Sequence, residues 1–164
     1  MLIPGNAELS MSVLMTPDMT NFAGNVHGGT LLKLLDEVAY TCASRYAGRY
    51  AVTLSVDQVI FRAPIHVGEL VHFLASVNYT GNTSMEIGIK VMTENIKERS
   101  IRHTNSCFFT MVALGDDGNP IKVPTLTPTT TDGIRRFQQA KERRQIRQQL
   151  ENKYNSMRKH DDII

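Results

Sequence analysis

The stretch Asn21-Phe22-Ala23-Gly24-Asn25-Val26-His27-Gly28-Gly29-Thr30-Leu31-Leu32-Lys33-Leu34-Leu35-Asp36 decides how this chain is read. It is a polar, glycine-bearing loop that breaks into an apolar helix, and the helix carries a carboxylate, Asp36, about two turns in. Loop glycines leave the first backbone N–H groups of a helix open to a ligand, because those groups have no partner inside the helix. The helix dipole points the same way, so the helix start suits a carbonyl oxygen that gains negative charge. The Asn21 amide before the helix and the Asp36 acid inside it supply the other parts of a small acyl-transfer site. Thr30 is the expected N-cap.

Outward from Leu31, the positions Leu31, Leu34, Leu35, Val38, Ala39, Cys42 and Tyr46 form a stripe of helical period, widened by Leu32 and Ala43. This predicts a mostly buried helix, stopped by Gly48. Asp36 lies beside the stripe, at the edge of the core, where a charge costs energy unless something pairs with it.

The rest of the chain reads as a sheet for that helix. Glu8 to Thr16 is an expected first strand, after a frayed start at residues 1–7. Ala51 to Val56 alternates, and Val59, Phe61 and Ala63 continue on the opposite phase, which predicts a bulge or bend near Asp57-Gln58. After a turn at Ala63 to Glu69, Val71 to Tyr79 and Met85 to Val91 alternate around a hairpin signal at Gly81-Asn82. Thr104 to Leu114 is denser in apolar residues and is expected to be the central strand. Pro120, Pro124 and Pro128 mark an extended segment, and Asp132 is the expected cap of a last helix from about Gly133 to Met157. One apolar helix followed by a long antiparallel sheet is an α+β layer arrangement. Its uncovered sheet edge favours pairing with a second copy.

Composition bounds the function. With 164 residues, 41% of them hydrophobic and 21% charged, the chain has the make-up of one soluble globular domain. The net charge of +2 is unevenly spread. From Ile134 to Lys159 there are nine Lys and Arg against two Glu, a balance of +7, so the rest carries −5. That basic tail is most simply a solvated helix face. Phe137 and Tyr154 are its only aromatic residues, which weakens a stacking readout of nucleic acid. No apolar run is long enough for a membrane helix. The first ten residues lack a basic patch followed by an apolar stretch, so no secretory signal is expected. Cys42 and Cys107 read as isolated buried thiols, and the cytoplasm is the expected compartment. The five histidines, at 27, 66, 72, 103 and 160, are scattered without CxxC or HExxH spacing, so no metal is expected.

At this point the residues carry a family likeness. NFAGNVHGGTLLKLLDEVAY, followed in order by VTLSVDQVIF, VGELVHF, TGNTSMEI and SCFFTMVAL, resembles the hotdog-fold acyl-CoA thioesterases, and within them the cytosolic acyl-CoA hydrolase, or YciA-like, subgroup. The resemblance runs from about residue 8 to 130 and implies a curved antiparallel sheet wrapped around one long central helix. It makes residues 1–130 the hydrolase domain and 131–164 a basic helical tail. It implies hydrolysis of fatty acyl-CoA, with coenzyme A as part of substrate and product and no separate cofactor. It also implies dimers with active sites at the interface, assembled into trimers of dimers.

The resemblance further assigns roles. Asn21 matches the catalytic asparagine and Asp36 the catalytic aspartate of animal relatives, in which two fused hotdog domains contribute one residue each. This single domain keeps both, so a symmetric dimer would form two sites, each combining Asn21 of one subunit with Asp36 of the other. His27 and Asn25 are implied as positioning residues, although Asn25 departs from the acid found in some bacterial relatives. The amides and hydroxyls of Gly81, Asn82, Thr83 and Ser84 are implied to lie near coenzyme A.

The chemistry agrees with those roles and leaves its routes open. An N–H of Gly28 or Gly29 can polarise the thioester carbonyl. Asp36 can act as general base on a water, or attack directly to form a mixed anhydride. Asn21 can orient the water, hold the carbonyl, or simply shape a turn. No serine with a paired histidine and acid stands out, and Cys42 lies in the apolar stripe. A non-catalytic acyl-CoA sensor of the same fold is the alternative, although a sensor does not need both Asn21 and Asp36.

Overall fold

The computed structural model describes residues 5–161, with side chains to residue 158. The expected frayed start falls partly outside this range. Its elements are β1 (Glu8–Leu14), a single 3-10 turn (Pro17–Met19), α1 (Gly28–Ala47), β2 (Tyr50–Val56), β3 (Leu70–Thr80), β4 (Ser84–Asn95), β5 (Ser100–Leu114) and α2 (Thr131–Asp161). The chain divides into two compact units after Leu126.

The first unit is one antiparallel five-stranded sheet, in the order β1-β3-β4-β5-β2, packed on α1. The helix touches every strand. Its Leu31, Leu35, Val38, Ala39, Cys42 and Ala43 are buried. They meet the alternate residues of the strands, among them Phe73 on β3, Ile87 and Ile89 on β4, and Phe109 and Met111 on β5. The two periodicities, 3.6 on the helix and 2 on the strands, thus meet in one core. Gly48 ends α1 in the left-handed conformation at φ 64°, which a side chain would oppose.

Several details differ from the sequence reading. The helix begins at Gly28, and its cap is His27 rather than Thr30. β1 ends at Leu14. The sheet irregularity falls inside β2, where the register against β5 shifts between Thr53 and Ser55, and residues 57–63 form no strand. One extra residue at Leu54 is enough to change side-chain parity, so the bend arises earlier than Asp57-Gln58. β5 is interior but not central: β2 returns from the helix to pair with its free side, leaving β4 in the middle.

In the second unit, Thr130 rather than Asp132 caps α2: its hydroxyl accepts from the Gly133 N–H at 3.0 Å. Asp132 lies in the first turn and pairs with Arg135 at 3.2 Å. Ile146, Leu150, Tyr154 and Met157 form an exposed stripe along this helix. No helix among the described residues is long and apolar enough to cross a membrane.

Candidate active site

The Asn21 loop is a closed polar turn. The Asn21 N–H donates to the Asn25 carbonyl at 2.7 Å, and the Gly24 N–H to the Asn21 carbonyl at 3.0 Å, with Gly24 left-handed at φ 78°. The Asn21 side-chain oxygen accepts from the N–H groups of Ala23 (2.9 Å) and Asn25 (3.2 Å). Its oxygen is therefore committed to the turn, and its NH₂ is the end able to reach outward. Asn25 uses its backbone in the same turn and pairs with His66 in an isolated β-bridge. Turn-shaping and catalysis were alternative readings of Asn21. The geometry shows the first for the oxygen end of the amide.

The helix start follows directly. His27 has an extended backbone, and its Nδ1 accepts from the Gly29 N–H at 2.9 Å. With Nδ1 as acceptor, a neutral His27 carries its proton on Nε2. One of the two N–H groups considered for a carbonyl oxygen is therefore occupied by the imidazole. That leaves Gly28, where a Cβ would meet the Phe61 ring at 3.6 Å. Gly28 is placed against an aromatic side chain as well as at the first turn.

Asp36 is more accessible than its place beside the stripe suggested. It is exposed in the single chain, and so are Leu32 and Tyr40, one helical turn to either side. The expectation of a mostly buried helix therefore fails on this flank. The facing strand β2 is exposed as well: Leu54 is 68% exposed, with Tyr50 and Val56 on the same edge. Tyr40 and Tyr50 stack edge to face with centroids 5.7 Å apart. The result is a carboxylate set in an apolar flank at an open sheet edge.

The structure adds a residue that the sequence reading did not single out. The Thr53 hydroxyl donates to Asp36 at 2.5 Å. The Met111 sulfur is 3.5 Å from the same hydroxyl and is the weaker partner for its one proton. The signal was present in the alternation of β2, where Ala51 and Thr53 share a face. Ala51 is buried, so that face looks at the helix and a hydroxyl on it meets the helix flank.

The hairpin residues Gly81, Asn82, Thr83 and Ser84 are not drawn to Asp36. Ser84 pairs with Val112, and Val112 with Val52, which sets the hairpin end two strands, roughly 10 Å, from β2. Much of its backbone is already bonded: Gly81 N–H to Ser84 at 2.8 Å, Ala113 N–H to Thr83 at 3.0 Å and Val123 N–H to Asn82 at 2.9 Å. The side chains of residues 82–84 remain available.

Burial pushes the Cys42 and Cys107 thiols up to about 12. Both stay protonated at neutral pH, which removes them as nucleophiles. Among the described residues, no three His, Cys, Asp or Glu side chains are grouped to hold a metal.

A five-stranded antiparallel sheet packed on one long helix is the architecture of the hotdog class. The chain belongs to the thioesterase superfamily, whose pattern it matches over residues 23–100. It is 54% identical over 140 residues to the protein VdlD of Helicobacter pylori, covering 85% of this chain and 80% of that protein. It is 36% identical over 139 residues to the cytosolic acyl coenzyme A thioester hydrolase of Rattus norvegicus, covering 84% of this chain but 36% of that longer protein.

Among solved structures, a hexameric acyl-CoA thioesterase in its apo form matches at a TM-score of 0.85 and 31% identity, over 90% of this chain and 94% of that one. An acyl-CoA hydrolase from Staphylococcus aureus, in complex with butyryl coenzyme A and coenzyme A, matches at 0.86 and 27% identity, over 96% of both chains. Alanine variants of that hydrolase have been solved at an asparagine, an aspartate and a threonine. Their spacing in sequence equals that of Asn21, Asp36 and Thr53.

Proposed function

We propose that this protein hydrolyses fatty acyl-CoA thioesters to free fatty acid and coenzyme A, at a site where Asp36 of one subunit works with Asn21 of its partner. The observation that carries this reading is the Thr53–Asp36 hydrogen bond on an exposed apolar flank. A hydroxyl that donates to a carboxylate fixes one of its oxygens and leaves the other free. In the base route, that free oxygen takes a proton from water while the water oxygen attacks the thioester carbonyl. In the nucleophile route, it attacks the carbonyl itself and forms a mixed anhydride that water then cleaves. In both, the carbonyl oxygen gains charge, and the partner's Gly28 N–H with the partner's Asn21 NH₂ are suited to receive it. The C–S bond then breaks and the coenzyme A sulfur takes up a proton.

His27 and Asn25 act as positioning residues. One caps the helix and occupies the Gly29 N–H, and the other closes the Asn21 turn. The side chains of Asn82, Thr83 and Ser84, carried on the Gly81 turn, suit the polar part of coenzyme A. The exposed β2 edge and the Leu32-Asp36-Tyr40 flank support self-association as a dimer, and hexameric relatives support a trimer of dimers. The family and the cytosolic relative support a role in cytoplasmic fatty acid metabolism.

The test is turnover of an acyl-CoA series of increasing chain length, followed by free-thiol release, for wild type and Asp36→Asn. The substitution keeps shape and removes the base and nucleophile. A loss of about 100-fold or more in kcat is expected, with folding and assembly intact. Near-wild-type turnover by a folded Asp36→Asn protein would remove Asp36 from the chemistry. Binding of acyl-CoA with no thiol release by wild type would leave a sensor.

A further inference from the structure

We propose that Glu69 and Arg102 form a positioning clamp that sets the Asn21 turn, and so governs turnover from outside the reacting centre. The inference rests on the role given to Asn21 above.

No residue from Asn21 to His27 is buried. Of its side chains only Val26 packs against the core, so the rest of the turn is placed through backbone bonds. At its helix end the turn is tied back to residues 19 and 20, by the His27 N–H to the Met19 carbonyl at 2.7 Å and the Thr20–Val26 bridge, and its other outward bonds lead to one segment, residues 64–69. On the near side, the Met15 N–H donates to the Glu69 carbonyl at 2.9 Å and the Gly68 N–H to the Met15 carbonyl at 2.8 Å. On the far side, the Val26 N–H donates to the Ile65 carbonyl at 2.8 Å, and Asn25 is bridged to His66. The segment therefore grips the chain on both sides of Asn21.

Within that segment the organising group is the Glu69 carboxylate, only 5% exposed. One of its oxygens accepts from the His66 N–H at 2.8 Å, fixing the residue that bridges to Asn25. The Arg102 guanidinium, reaching from β5, holds both oxygens in a fork at 2.6 and 2.8 Å. The same guanidinium donates to the Pro64 carbonyl at 2.9 Å, at the start of the segment. A planar fork on a buried carboxylate fixes orientation as well as distance, which a lysine ammonium cannot do. The path from Arg102 to Glu69 and His66 consists of hydrogen bonds, and it reaches the Asn21 turn through the Asn25–His66 bridge and its bond from the Val26 N–H to the Ile65 carbonyl. Because the Asn21 oxygen is spent on the turn, a shift at Asn25 displaces the Asn21 NH₂ with it.

The test is a double-substitution cycle on the assembled enzyme. The probe is the acyl-CoA that wild type turns over fastest, with free-thiol detection and a thermal melt of every variant. Arg102→Ala should lower kcat by about 10- to 100-fold, the scale of a small misplacement of a reacting group. KM should change little. In the Asn21→Ala background, the same Arg102→Ala change should cost no further kcat, because the group it positions is gone. Arg102→Lys, which keeps the charge and loses the fork, should give an intermediate kcat in the wild-type background and none of that loss in the Asn21→Ala background. It carries the cycle if Arg102→Ala does not fold.

Equal losses in both backgrounds would make the pair a general stabiliser and overturn the clamp, as would an unchanged kcat in folded Arg102→Ala and Arg102→Lys. If Asn21→Ala alone kept wild-type kcat, the role of Asn21 would fail first, and the clamp with it. The cycle therefore tells the two failures apart.

Discussion

Asp36 and Glu69 are two carboxylates with opposite surroundings. Asp36 sits in the open with one hydroxyl on it, the setting that the proposed chemistry requires. Glu69 is buried and saturated by a guanidinium and a backbone N–H, so it holds structure. The Arg102 guanidinium bonded to Glu69 holds its carboxyl below the usual 4.5, and the His66 N–H adds to this, against the opposing effect of burial. A carboxyl with a depressed folded-state pKa stabilises the fold above its unfolded value and loses that contribution as pH falls through its folded value. Stability of the wild type should therefore decline from about pH 4.5 downward, and Glu69→Gln should decline less steeply there. Urea midpoints across that interval measure it. Parallel slopes for the two proteins would show that Glu69 carries no such linkage.

At the level of elements, one helix serves two surfaces. Its buried face, from Leu31 to Ala43, meets the inner faces of all five strands, and its Leu32-Asp36-Tyr40 flank stays open. The strands obey the same division. On β3, Phe73 is 0% exposed while its neighbour Leu74 is 44% exposed on the other face. Phe73→Ala should cost about 3–5 kcal/mol in chemical denaturation, through lost transfer energy and the cavity left behind. Leu74→Ala should cost well under that. Similar losses at both positions would mean that the alternation is not what divides core from surface. The bulge at Leu54 belongs to this scale too. It shifts the register after Thr53, and Leu54 and Val56 there lie exposed at the sheet edge.

At the level of the whole molecule, the open flank and the Asn21 turn are the parts that call for a second copy. Asp36 lies eight residues into α1 from Gly28, roughly 12 Å along the axis. The Asn21 turn precedes that helix and is tied to the 64–69 segment instead. A two-fold partner running the other way can bring its own Asn21 to this Asp36. Subunits with Asn21→Ala mixed with subunits carrying Asp36→Asn should recover activity towards half the wild-type value per mixed dimer. Each such dimer would hold one intact and one doubly damaged site. If exchange occurs, as shown by mass, and activity stays flat, each site lies within one chain.

What the sequence by itself determined is local. The 3.6-residue stripe from Leu31, the period of 2 in β3, β4 and β5, Gly48 as a helix stop and the amide–glycine–acid order around α1 all depend on neighbours a few residues apart. The elements and the family are legible for that reason. Tertiary structure alone decided what depends on distant partners. The register of β2 on β5 brought Thr53 to Asp36. The imidazole of His27 took the Gly29 N–H, so capping moved away from Thr30. The return of β2 to the free side of β5 left the Asp36 flank beside an open edge. A guanidinium on β5 reached the carboxylate before β3. Hydrogen bonds and burial of this kind arise only when segments far apart in the chain are packed together, and no periodicity records them.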